Sequence, residues 1–265
     1  MSGRGRTALR GLAALGAALG LPLALLALWW VASEDSTHVY LPPLRDILEA
    51  FGRVWFSETF VGDVVPSLRR LGIGLGIAFV LGVTGGYLLG RSPLLRGLAS
   101  PALAYARALP PPVIIPVLLV AVGIGETTKI VVIALGALWP ILLNTCDGVR
   151  DVDEVARETA AAYRLTGWTR RRLVLRAASP RVFAGLRQAL GLAIILMVVS
   201  EMLMSTDGLG FTIVQFQRSF ALPEMWSGVL LLGVLGFVLA KLLELVERHA
   251  LRWHRGMTGR QESST

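Results

Sequence analysis

Residues 151–180 read DVDEVARETAAAYRLTGWTRRRLVLRAASP, a polar and basic stretch set between two long apolar runs. Asp151, with Glu154 three residues on, has the pattern of a capping box that starts a helix. Gly167 suits the C′ position that ends one. Between them Ala156, Ala160, Ala161 and Ala162 favour helix and add no bulk. Thr169 is placed to cap a second short helix through Arg176, and Ser179–Pro180 has the form of an N-cap and first helical residue of the next apolar run. The expectation is helix, tight turn, helix, then membrane. An ordinary connection between spans needs only a few residues. A short helix with a small-residue surface fits a cleft on another protein; taken alone, the stretch suits a solvated loop equally well.

The surroundings of this insert are apolar. Of 265 residues, 54% are hydrophobic and 17% charged, and mean hydropathy is +0.63, outside the range of soluble domains. Six segments are long enough to cross a hydrocarbon core as helix: Gly11–Ala32, Val65–Gly90, Ala99–Gly123, Thr128–Cys146, Arg181–Met204 and Met225–Ala250. The fold class is therefore all-α, a polytopic membrane protein of about six transmembrane helices. Residues 1–60 read as an N-terminal anchor helix with an extracytoplasmic segment, 61–250 as the membrane domain with the insert at about 150–180, and 251–265 as a cytoplasmic tail. The first run also resembles a signal peptide, but it exceeds the ~7–15 residues of such an apolar core, which favours an uncleaved anchor. Residues 257–265 are polar and expected to be disordered.

Charge sets the orientation. Arg4, Arg6 and Arg10 precede the first span, and Arg91 and Arg96 follow the second. The insert carries Arg150, Arg157, Arg164, Arg170, Arg171, Arg172 and Arg176, and the tail Arg248, Arg252, Arg255 and Arg260. The segment 34–63 is acidic. Both termini and the insert are thus expected inside. Arg69 and Arg70 run against this pattern, at the outer end of the second span, and are expected to snorkel to the interface. The net charge of +8 belongs with topology and anionic lipid; it calls for no nucleic-acid partner.

Chemistry-bearing clusters are few. Cys146 is the single cysteine, which excludes an internal disulfide, and no Cys/His spacing suits a metal. His38, His249 and His254 are scattered without paired carboxylates, so no catalytic residue is assigned. Gly72 and Gly76, then Gly82, Gly86 and Gly90, fall at the four-residue spacing that lets helix backbones approach. They lack the preceding strand and following Lys of a phosphate loop, so ATP hydrolysis is not expected in this chain. In the third span Pro101, Pro110, Pro111, Pro112 and Pro116 interrupt an apolar run that also holds Arg107. Prolines remove backbone donors, and broken backbone at membrane depth is tolerated against protein or a water-filled cavity. A kink that lines a pathway and a kink that serves packing alone both fit.

The stretch from Val155 to Met202 resembles the cytoplasmic signature of inner-membrane permeases in binding-protein-dependent ABC importers. That signature reads Glu-Ala-Ala, three residues, Gly, nine residues, Ile, one residue, Leu-Pro. Gly167 and Pro180 stand at the matching separation, with Arg170 where the family often has a basic residue. Ala161 falls on the Glu, Ala162 and Tyr163 on the two Ala, and Ala177 and Ser179 replace the Ile and Leu. Glu158 lies three residues before the missing carboxylate. Residues 110–130, 138–152, 183–202 and 208–237 look like the nitrate, sulfonate, taurine and bicarbonate branch.

The resemblance implies a permease subunit working as a pair, with two ATP-binding cassette subunits that use ATP and Mg and an extracytoplasmic solute-binding protein. It places the chain in a bacterial inner membrane and gives it no cofactor of its own. Arg157, Glu158, Ala161, Ala162, Gly167 and Arg170 become candidates for coupling to the ATPase. Ionisable groups at membrane depth usually face the bundle interior. Arg107, Pro110, Pro112, Pro116, Met197 and Glu201 are therefore pathway candidates, and Arg107 suits an anionic cargo. An ion-gradient-driven secondary transporter would be expected to show repeated halves and buried coupling carboxylates, and a membrane enzyme a nucleophile–base or metal constellation. Neither pattern is visible. An energy-coupling, vitamin-type importer lacks this combination of motifs.

Overall fold

The computed structural model describes residues 40–152 and 167–253, together with 20, 24, 27–34, 158, 159, 162, 163 and 165. Its helices are α1 (Leu44–Trp55), α2 (Val65–Arg91), α3 (Pro93–Ala108), α4 (Ile114–Val122), α5 (Glu126–Arg150), α6 (Gly167–Met204), α7 (Leu209–Arg218) and α8 (Leu222–Ala250). No strand occurs among the described residues. Two compact units divide the chain: residues 1–60 with 213–231, and residues 61–212 with 232–265.

In the larger unit α2 and α5 lie side by side and parallel, in register. A Cβ added at Gly74 would meet Ile133, at Gly82 Ile141, at Gly86 Thr145 and at Gly90 Val149, each pairing separated by 59 positions. With Ala78, which is fully buried, these residues make one small-residue stripe at four-residue spacing. It allows backbone approach where lipid supplies no hydrophobic drive between helices. The lower half of the expected stripe is correct and the upper half is not. Gly72 and Gly76 face open space, and Gly74 is the packing residue.

Helix α6 runs antiparallel to α5: Gly148 abuts Ala178 and Arg181, Gly185 abuts Pro140 and Asn144, and Gly136 abuts Leu196. Leu71, Ile115, Ile133, Ala137, Ile141, Ala193, Leu196 and Met197 form the buried core of these elements.

Parallel α2 and α5 require the chain between them to return across the same thickness. That return is α3 and α4, bent by 88° at the break between them. The expected third span is therefore a broken pass, and Pro110–Pro112 sit at the break. Four unbroken helices, Phe60–Arg91, Glu126–Arg150, Gly167–Met204 and Leu222–Ala250, are long and apolar enough to cross a bilayer, and the bent pair makes a fifth crossing. The expected first span lies largely outside the described residues, as does the polar tail from residue 254.

Two local expectations fail. Ser179–Pro180 does not start a helix; α6 is continuous from Gly167 to Met204, with Pro180 inside it. Its 38 residues make a rod about 57 Å long. The short second helix and the fifth span are thus one element, because proline occupies an interior turn without breaking it. Asp151 is the C-cap of α5, and its carboxylate accepts from Arg181 at 2.7 Å; Glu154 lies outside the described residues.

The smaller unit packs α1 against residues 222–228. Trp55 Nε1 donates to Ser227 Oγ at 2.9 Å, Arg53 pairs with Glu224, and Trp226 Nε1 donates to the Tyr40 carbonyl at 3.0 Å. Apolar Leu44, Ile47, Ala50 and Trp55 line the buried face of α1.

Candidate functional site

The candidate residues fall at the two ends of α6 and at the break between α3 and α4. Gly167, the first residue of α6, takes φ +56°, a left-handed conformation that glycine adopts without steric cost. A Cβ there would meet nothing within 4 Å, so space for approach exists. Glu158, Ala162 and Arg170 are exposed, while Arg157 and Ala161 lie outside the described residues. Residues 167–200 contain no acid. Arg170, Arg171, Arg172 and Arg176 have no ion pair among the described residues, whereas Arg181 and Arg187 are paired with Asp151 and Glu247. Arg170 lines a hollow of about 210 Å³ with Tyr87, Arg91, Val149 and Leu173.

At the break Pro110, Pro112 and Pro116 are exposed, and Arg107 is exposed in the last turn of α3. Ile115 and Met197 are buried in the shared core. Of the prolines at the break, Pro111 is the one beside the α5–α6 contact: a Cβ at Gly136 would lie 3.6 Å from it and against Leu196. The structure thus brings Met197 near the proline segment through that core and leaves Arg107 on the surface of the chain.

The Met204 end of α6 holds a buried ion cluster. Arg70 is fully buried and does not snorkel. Its Nη1 donates to Glu201 Oε1 at 2.7 Å, its Nη2 to the Asp207 carboxylate at 2.8 Å, and its Nε to Glu126 at 3.0 Å. Glu201, also fully buried, accepts from Ser67 Oγ at 2.8 Å and from the Gly210 amide at 3.0 Å. Lys129 pairs with Glu126 at 2.7 Å and donates to Ser205 at 2.9 Å. Arg69 reaches Glu126 at 2.9 Å. Three cations, Arg69, Arg70 and Lys129, thus meet three anions, Glu126, Glu201 and Asp207.

The guanidinium's planar fork suits this multidentate contact, which an ammonium could not make. It overturns the snorkelling expectation for Arg70: burial is tolerated because every charge finds a partner. Burial opposes charge on Asp207, but the hydrogen bond and charge of Arg70, with Lys129, prevail and hold its carboxyl below the ordinary range. Gly208, at φ +110°, closes the cluster; a Cβ there would lie 2.6 Å from Glu201 Cδ and 2.7 Å from Arg70 Nη1. The cluster was readable in principle. Under alternation, the starts of α2 and α5 and the end of α6 share one side, and their charges balance.

The family of binding-protein-dependent transport system inner membrane components matches residues 78–253. The taurine transport system permease protein TauC of Escherichia coli is 28% identical, over 89% of each chain. The bicarbonate transport system permease protein CmpB of Synechococcus elongatus is 31% identical, over 72% of this chain and 69% of its own. Among solved structures, a chain of the MetNI methionine ABC transporter in an inward-facing form superposes with a TM-score of 0.62 at 22% identity. That match covers 72% of this chain and 96% of that one.

Proposed function

The chain belongs to the binding-protein-dependent inner-membrane permeases of ABC importers, and from that premise we propose how its two ends share the work. A pair of these chains forms the pathway, two ATPase subunits using ATP and Mg grip the inner faces, and a solute-binding protein delivers cargo outside. Both termini and the loop at residues 150–167 face the cytoplasm. The cargo is a small anion or sulfonate-like compound, by analogy with relatives named for taurine, aliphatic sulfonates, bicarbonate and nitrate.

The observation that carries this reading is the continuity of α6. One rod runs from the exposed, cation-rich surface at Gly167–Arg176, past the α5 contact, to the buried cluster at Glu201. Closure of the ATPase pair displaces the inner end, and a rigid helix carries that displacement through the bilayer. Ala161, Ala162 and Gly167 give close fit and Arg170 a polar contact to the ATPase, with Arg157 and Glu158 on the same coupling segment. The broken pass at Pro110–Pro116, seated against the α5–α6 core, shifts with them and opens or closes the path. Arg107 attracts the anion as it passes. Glu201 acts from within the cluster, holding the outer end of the rod.

The test is the complete transporter in liposomes, with taurine, an aliphatic sulfonate, nitrate and bicarbonate as cargoes. Gly167→Leu should leave assembly intact and lower transport per ATP hydrolysed by roughly tenfold or more, a loss of about 1.4 kcal/mol in coupling. Normal stoichiometry in that variant contradicts the docking assignment.

A further inference from the structure

Within residues 213–231, helix α7 ends in a turn where the Ala221 amide donates to the Phe216 carbonyl at 2.9 Å and the Phe220 amide to the Gln217 carbonyl at 3.2 Å. This bond pair defines a helix C-terminus whose next residue must adopt left-handed backbone, where glycine is the default. Phe220 occupies that place with φ +56°, and among the described residues no other non-glycine has a positive φ. A bulky side chain is disfavoured there by contact with its own backbone. The ring gains nothing internal in exchange, being 69% exposed. Gln217, Arg218 and Ser219 beside it are exposed too, and Arg218 has no ion pair among the described residues.

A residue that is strained and also left outward invites a reading in terms of what it meets. We propose that Phe220, flanked by Arg218, is a contact through which the exported solute-binding protein docks on this chain. The proposal rests on the importer reading above, whose topology puts the α7–α8 turn outside. A soluble protein fits better than lipid for two reasons. The turn is polar on the side of Gln217, Arg218 and Ser219, and interfacial belts favour Trp and Tyr over Phe. An aromatic ring beside an arginine is also the composition enriched at the cores of protein interfaces.

Photoreactive benzoylphenylalanine in place of Phe220, in intact cells expressing the full transporter, tests the contact. The adduct, identified by mass spectrometry, should contain an exported protein of solute-binding type. Adducts only with lipid, only with a second copy of this chain, or none at all, overturn the proposal. Phe220→Gly should keep or raise the thermal unfolding temperature, because it relieves the left-handed backbone. At limiting cargo it should lower uptake at least about fivefold, the scale of an interface hot spot, while Phe220→Tyr retains uptake. Full uptake by Phe220→Gly, or a lower unfolding temperature, also overturns it. Osmotic shock separates the parent reading: uptake that survives release of exported soluble proteins contradicts the importer reading, whatever residue 220 does.

Discussion

The two ends of α6 are built in opposite ways. At the Met204 end Glu201 is fully buried, and every charge around it has a partner supplied by the same unit. At the Gly167 end Arg170, Arg171, Arg172 and Arg176 stand exposed with no ion pair among the described residues, and Gly167 leaves open space where a side chain would be. One end is complete within its own fold. The other is basic, exposed and begins at a glycine on left-handed backbone. On the proposed reading, the permease is anchored where it finishes itself and driven where it does not.

The sharpest way to break this contrast is at Arg70. Arg70→Ala leaves Glu201 buried without its cation and should cost about 3–5 kcal/mol in unfolding free energy. Replacing both, Arg70→Met with Glu201→Met, should recover part of that, since an apolar pair leaves no stranded charge. A single variant that unfolds like the parent would show that the cluster is solvated and the contrast false. Next comes Gly208→Ala, which places a methyl 2.6 Å from Glu201 Cδ on left-handed backbone; about 1–3 kcal/mol of destabilisation is expected, measured by thermal unfolding in detergent.

The same kind of change at the inner end should do little to stability. Arg170→Gln with Arg172→Gln should shift it by no more than about 0.5 kcal/mol, yet weaken association with the ATPase in a pull-down. Equal loss of stability at both ends would erase the distinction drawn here. The smallest effect concerns pH. Because Arg70 and Lys129 hold the Asp207 carboxyl below its ordinary range against burial, its contribution is fully present above the ordinary carboxylate pKa. It fades as pH falls through the lowered value. Asp207→Asn should flatten the acid limb of stability against pH and leave neutral pH nearly unchanged. The carboxylate is 41% exposed, so the change is modest.

The sequence carried the membrane character and the helical passes, because apolar length is a local signal. What it did not carry depends on register. Four-residue glycine spacing allows two stripes on α2, and only the partner helix selects Gly74 over Gly72 and Gly76. Pro180 looks like a start because proline is common at first helical positions, yet an interior turn accepts it once neighbouring elements hold the rod. Arg70 was misread because an arginine beside Arg69 near a span end resembles a snorkelling one. Its partners lie 56, 131 and 137 residues away, on elements whose juxtaposition no local pattern reports.

The claim that joins these observations is that α6 moves as one body. Spin labels at Arg172 and Leu203, both exposed and separated by about 46 Å along an unbroken helix, can be placed after replacing buried Cys146. Pulsed electron–electron spectroscopy on the assembled transporter then compares the nucleotide-free and ATP-bound states. The same 172–203 distance in both states, with a changed distance between the two copies' Arg172 positions, is the outcome expected of a rigid rod. A 172–203 distance that changes by several ångströms between states would place a hinge at Pro180 and contradict it.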